Sequence, residues 1–362
     1  MDANKNSGDY NAALLRHLTD ALDLSAEDID KITEHFKTNP EELNKYFSLQ
    51  FFKMLDAGKD ELLSETYESL RKFRERLFQT WEAPLKRLDT LLYMSMEIVD
   101  ELRRGDTGTA TKNTDKFNIA TRLHARCVQV GHEISHLLHG GYADGAFARW
   151  RTLHETSVTT IFICEGDEDL ASRFTDFQNA SRVSAATRYN NNNELGFKDF
   201  SDAHLAQMAE EQKETIDKYE PSFKNKFGWA LKALGKAKNP KSEANFIDIE
   251  KFVEMSFLRN HFSFANQYVH AGIDSIGFKL GTSMSGKDLL LAGPSNEGFI
   301  EPIQCTSLSL ICATIALITA FPNEESAVRI SVFRLWHEIL KQEVVDAAAA
   351  LQVKGDALRN PS

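Results

Sequence analysis

Apolar residues recur along this chain at spacings of three and four rather than two, the period of helices with one buried face. The pattern predicts a helix over 8–22, then "LSAEDIDKITEHF" with Ser25 as its N-cap ahead of acidic first-turn residues. Asn39-Pro40 is a stop-and-restart signal with Pro at the first helical position, and the helix it opens is expected to end at Gly58. Two more helices are predicted at about 60–80 and 84–104. After the Gly- and Thr-rich "RRGDTGTATKNTDK" come helices at about 117–139, 144–165, 167–190, 200–218, 245–268, 302–320 and 325–352. "ELGFKDF" (194–200) and the glycine-rich stretch from Gly272 to Gly298 interrupt the pattern, and no internal repeat is visible. The expected fold is all-α, a multi-helix bundle. Its parts are an N-terminal helical region (1–104), a linker (105–116), a larger helical domain (117–352) and a tail (353–362).

Composition narrows the class. At 362 residues the chain can bury a sizeable core, and a mean hydropathy of −0.37 with 26% charged residues fits an ordinary soluble protein. The start carries no basic region followed by an apolar one, so no secretion signal is read there. "CTSLSLICATIALITAF" (305–321) is shorter than the roughly 20 residues a bilayer requires and is diluted with Ser and Thr, so a buried helix is expected and no membrane partner. Cys127, Cys164, Cys305 and Cys312 lack CxxC spacing, which points to reduced core thiols and a cytoplasmic location. A net charge of −11 argues against general nucleic-acid binding, which draws on Lys and Arg at phosphates, but leaves room for a local basic groove.

"GHEISHLLHGG" (131–141) contains a literal HExxH. His132 and His136, one helical turn apart, could share a zinc with Glu133 as general base, and His139 lies on the same face. Glu155 stands at a tempting distance for a third ligand. In an antiparallel hairpin turning near Tyr142, however, it falls opposite about position 129, roughly 5–10 Å along the axis from the histidines. Arg149, Arg151 and Thr152 face the HExxH instead, and a cation is a poor neighbour for zinc. The expectation is no metal and no cofactor, with zinc hydrolysis at His132 and His136 as the alternative.

The second helix crowds Arg149, Arg151, His154 and Glu155 into two turns of a largely apolar sequence, "ADGAFARWRTLHETSVTTIFI". At least one of these groups must lie near the core and needs a hydrogen-bonded partner, which Glu133 can supply to Arg149 or Arg151. Two readings stay open: an ion-pair network locking the hairpin, or a pocket that grips an anion or nucleotide phosphate through Arg forks. "GGYADGAFARWRTLHETSVTTIFI", "YVHAG" and "GPSNEGFIEP" together resemble a bacterial family known only as a domain of unknown function, over roughly 117–345. The resemblance implies that Glu133 is the family's helix-borne Glu, with His132 and His136 as local substitutions around it. No activity comes with it.

Arg149…His154 and Arg126…His132 also fit the Arg-then-His spacing of HEPN ribonucleases, all-α enzymes common in bacterial toxins and phage defence, although Trp150 follows where that pattern usually has a polar residue. In that chemistry His154 would move the 2′-hydroxyl proton while Arg149 stabilises phosphorane charge, with Glu155 beside them. Tyr268 and His270 end a helix before a glycine, where His caps the dipole or faces a ligand. "GPSNEG" reads as a structural turn or an anion nest. The leading expectation is a bacterial accessory or effector protein, in phage defence, acting on RNA or binding a nucleotide-like ligand with Glu133, Arg151, Tyr268 and His270. The alternative is a non-catalytic interaction module with a structural Glu/Arg network. A protein partner through the N-terminal region and homo-oligomerisation complete the partner expectations.

Overall fold

A computed structural model describes residues 25–36, 40–104, 114–284 and 290–359. The helix expected over 8–22 and linker positions 105–113 lie outside the described residues. Among those described, eleven helices and no strand are found, so the protein is an all-α bundle. The chain divides into two compact units, Met1–Phe73 and Arg74–Ser362.

In the first unit, α1 (Ala26–Phe36) is capped as expected: the Asp28 amide donates to Ser25 Oγ at 3.2 Å. Helix α2 (Pro40–Arg104) begins at its proline but runs straight through Gly58, contrary to the expected stop. A lone glycine costs a helix only about 1 kcal/mol relative to Ala. Helical neighbours on both sides and the Lys59–Asp56 pair at 2.7 Å carry the helix across. Leu49, Phe52, Leu55, Leu62 and Tyr67 of α2 are exposed.

From Arg74 onward α2 belongs to the second unit. Leu77, Trp81, Leu85, Leu88, Leu91 and Leu92 are all buried, and this change of burial, not the linker, is where the units divide. The expected gap between 80 and 84 is a kink. Trp81 leaves helical geometry (φ −108°, ψ 15°) because Pro84 has no N–H for the Thr80 carbonyl. Trp81 Nε1 donates to the Asn296 carbonyl at 2.9 Å, and its ring stacks on Phe299.

Helices α3 (Asp115–His139) and α4 (Ala143–Glu165) form a hairpin, and α10 (Ile300–Ala320) packs against both. Helix α10 is long and apolar enough to cross a membrane, yet 61% of its most apolar window is buried inside the bundle. Its Ser and Thr side chains explain the dilution seen in sequence: Ser309 and Thr314 accept hydrogen bonds from the core-facing side of the hairpin. Helices α5 (Glu168–Asn191) and α6 (Asp202–Lys218) pair with each other, and Arg173 of α5 ties down the segment just past α6, its Nη1 and Nη2 each donating to the Glu220 carboxylate at 2.9 Å.

The helix expected over 245–268 is broken. It comprises α7 (Phe246–Phe252), a 3-10 turn (Ser256–Leu258), α8 (Arg259–Ala265) and a second 3-10 turn (Asn266–Tyr268), with Glu254 at φ +57° between the first two. The short α9 (Asp274–Gly277) follows, and α11 (Ser326–Arg359) continues beyond the expected end at 352, so residues 353–359 are helix rather than tail.

Candidate functional site

The hairpin turn is set by Gly141 at φ +85°, a conformation an L side chain resists. Two downstream segments grip it. The Ser295 amide of "GPSNEG" donates to the Gly141 carbonyl at 2.9 Å, and the Leu280 amide donates to Asp144 Oδ1 at 2.7 Å. Glu297 of the same turn accepts from the Met284 amide at 2.6 Å. Two amides of the expected nest are consumed internally, that of Ser295 by Gly141 and that of Glu297 by Ser295 Oγ at 3.2 Å, so the turn works as a latch.

On the outer side of the hairpin, Glu133 pairs with Arg149, which also reaches Thr152 Oγ1 at 3.2 Å. Arg126 stands 3.8 Å from the same carboxylate. The hairpin register therefore brings together the Glu–Arg pair that the sequence suggested. The pair is not buried, however: the Arg149 and Glu133 side chains retain 29% and 38% of their accessible surface. His132 and His136 are exposed, and among the described residues no three His, Cys, Asp or Glu side chains converge as a metal set. A cluster not anticipated lies on the same helix. Asp89 of α2 accepts from Ser135 Oγ at 2.5 Å and bonds His139 Nε2 at 2.9 Å. Burial raises the Asp89 carboxyl, but the His139 and Ser135 hydrogen bonds outweigh it and hold it below the usual range.

The polar group that the sequence required near the core is His154, not an arginine, and its partner comes from α7 rather than from Glu133. His154 is fully buried. Its Nε2 lies 2.9 Å from Glu250 Oε1, and its Nδ1 lies 3.4 Å from Ser309 Oγ. Trp150 Nε1 donates to Ser309 Oγ at 3.0 Å and to the Cys305 carbonyl at 2.9 Å. The second oxygen of Glu250, also fully buried, accepts from Arg259 Nε at 2.6 Å. One assignment directs these bonds: Trp150 donates to Ser309, Ser309 to Nδ1, Nε2–H to Glu250, and Arg259 Nε to the remaining carboxylate oxygen. Burial pushes the Glu250 carboxyl up, but the hydrogen bonds from His154 and Arg259 outweigh it, leaving its pKa below the ordinary value. Phe246 and Phe262 wall this chain, with the Arg259 guanidinium 5.4 and 5.0 Å from their ring centres.

The other anticipated residues scatter. Arg151 lies over the Phe262 ring at 4.3 Å and 3.9 Å from the exposed Glu155, with its buried Nε unpartnered. Tyr268 packs against Phe147 and Phe264, and burial raises its hydroxyl, with Asp144 and Glu301 adding to the shift. His270 is exposed and joins none of this. Arg149 and His154 share no partner, because five residues of helix turn them to different sides.

Glu250 and Arg259 were missed. An acid and a base nine residues apart within one apolar stretch (246–262) was the available signal. Only the break at Val253–Glu254, which carries neither Gly nor Pro, folds the two towards each other.

Residues 117–288 match the profile of a family of unknown function (DUF5677). The match starts where the resemblance did and ends earlier, before the "GPSNEG" latch and α10. No curated protein and no solved structure matches the chain.

Proposed function

We propose, from the premise that residues 117–288 match a family bringing no activity with it, that the polar centre is structural and the protein is a non-catalytic interaction module. One observation carries this reading: both ring nitrogens of His154 are engaged inside the core, on Glu250 and Ser309. A general base must come within hydrogen-bond reach of the proton it abstracts, and a fully enclosed imidazole meets no substrate hydroxyl. Arg149 is committed to Glu133 and faces elsewhere. The RNA-directed reading needs both groups at one phosphate, and so makes the opposite forecast.

Total RNA incubated with wild type and with Arg149→Ala separates them. Arg149 is half-exposed, so its removal leaves the fold intact. No cleavage by either protein is the expected result. Cleavage by wild type that Arg149→Ala abolishes would overturn the reading.

A further inference from the structure

Helix α10 buries one side in the hairpin and leaves a second stripe (Leu308, Cys312, Ile315, Ala316, Thr319) facing a cleft. The cleft is floored by Ile161 and Cys164 of α4, closed at one end by Val253 and Met255, and faced by α11 through Leu335. Its volume is about 790 Å³. That lies inside the roughly 300–1,000 Å³ typical of small-molecule sites, which combine apolar walls with a few polar groups that orient the ligand.

Those polar groups are few and unequal. Arg334 has no hydrogen-bond or ion-pair partner among the described residues, whereas Glu338, on the same helix, is held by Lys341 at 2.8 Å. His337 Nδ1 is bonded to Ser307 Oγ at 2.9 Å, which leaves Nε2 for a ligand. Glu165 is the remaining acid, exposed at the cleft, and burial and nearby Glu254 raise its carboxyl pKa. An apolar trough with an uncommitted guanidinium matches a ligand with a hydrocarbon body and one acidic end.

We propose that the cleft between α10 and α11 binds a single-chain amphiphile with an anionic head group, its chain along the α10 stripe and its head at Arg334. This goes beyond the interaction-module reading and uses none of the His154 network. RNA cleavage would sink that reading alone, and failure to bind amphiphiles would sink this one alone.

The test is displacement of a dansylated undecanoate probe from the full chain, below micellar concentrations, by dodecanoate, dodecyl phosphate, dodecylamine and dodecanol. The two anions are expected to displace it and the amine not, the tighter anion identifying the head group as carboxylate or phosphate. Arg334→Ala should weaken the anions by about tenfold and leave dodecanol unchanged. Ala316→Trp fills the trough and should abolish binding. Thr319→Trp, at an exposed lining position, does the same if the first variant fails to fold. Three results overturn the proposal: no displacement by either anion, equal displacement by the amine, or wild-type affinity in folded Thr319→Trp. A fourth is loss of self-association in Thr319→Trp by sedimentation, which would make the cleft an interface between proteins.

Discussion

Truncating Glu250 to Ala leaves Arg259 and His154 facing an empty space in the core, and breaking one partner of a buried pair typically costs about 3–5 kcal/mol. Glu250→Ala should therefore lower the denaturation midpoint sharply, and Glu250→Gln, which keeps the shape and an acceptor, should recover part of the loss. Arg149→Ala on the half-exposed pair should cost no more than about 1 kcal/mol. Equal effects at the two sites would contradict the burial difference on which the structural reading stands. His124 supplies a pH signature. It is fully buried, its Nε2 lies 2.8 Å from Thr314 Oγ1, its Nδ1 has no partner, and burial depresses it from 6.5 to about 4. With the folded pKa below the unfolded one, the unfolded chain takes up the proton first, so stability falls as pH drops from about 6.5 towards 4. Urea titrations at pH 7 and pH 4.5 should show the decline, and His124→Gln should flatten it. A decline unchanged in the variant would place its origin elsewhere, with His337, which burial also depresses, as the next residue to replace.

Helices came through from periodicity, and the bounds of α3, α4, α5 and α6 fall within about two residues of those predicted. What failed to come through was set by a local backbone turn with no residue signature or by partners distant in sequence. The α7–α8 break depends on Glu254 adopting φ +57° while Met255 N bonds the Glu250 carbonyl at 2.9 Å, and no composition cue marks it. The Glu133–Arg149 pair was visible because a hairpin of known turn fixes its register. The His154–Glu250 pair spans 96 residues and two intervening helices, and nothing local sets it. The latch belongs to this scale too. Gly298 sits at φ +79°, and a Cβ there would stand 2.4 Å from the Leu280 backbone carbonyl carbon. Gly298→Ala should lower the melting temperature, with at least about 1–2 kcal/mol lost to the backbone conformation alone. An unchanged melting curve would mean that the turn does not hold the hairpin.

At the scale of the whole protein, the family match and the folding unit do not coincide. Residues 117–288 omit α10, whose Ser309, Cys305 and Thr314 are the partners of Trp150, His154 and His124. An isolated 117–288 fragment should lack near-ultraviolet circular dichroism and melt without cooperativity, whereas 74–359 should show both; a cooperative melt in the shorter fragment would contradict the role given to α10. Helix α10 also governs the order of events during synthesis. The polar groups at 124, 150 and 154 wait for partners on α10 that the ribosome makes some 155 to 190 residues later. Until then the nascent hairpin exposes an oily seam and unanswered polar atoms, the state that holdase chaperones recognise. Maturation of this protein is thereby tied to the emergence of one late segment.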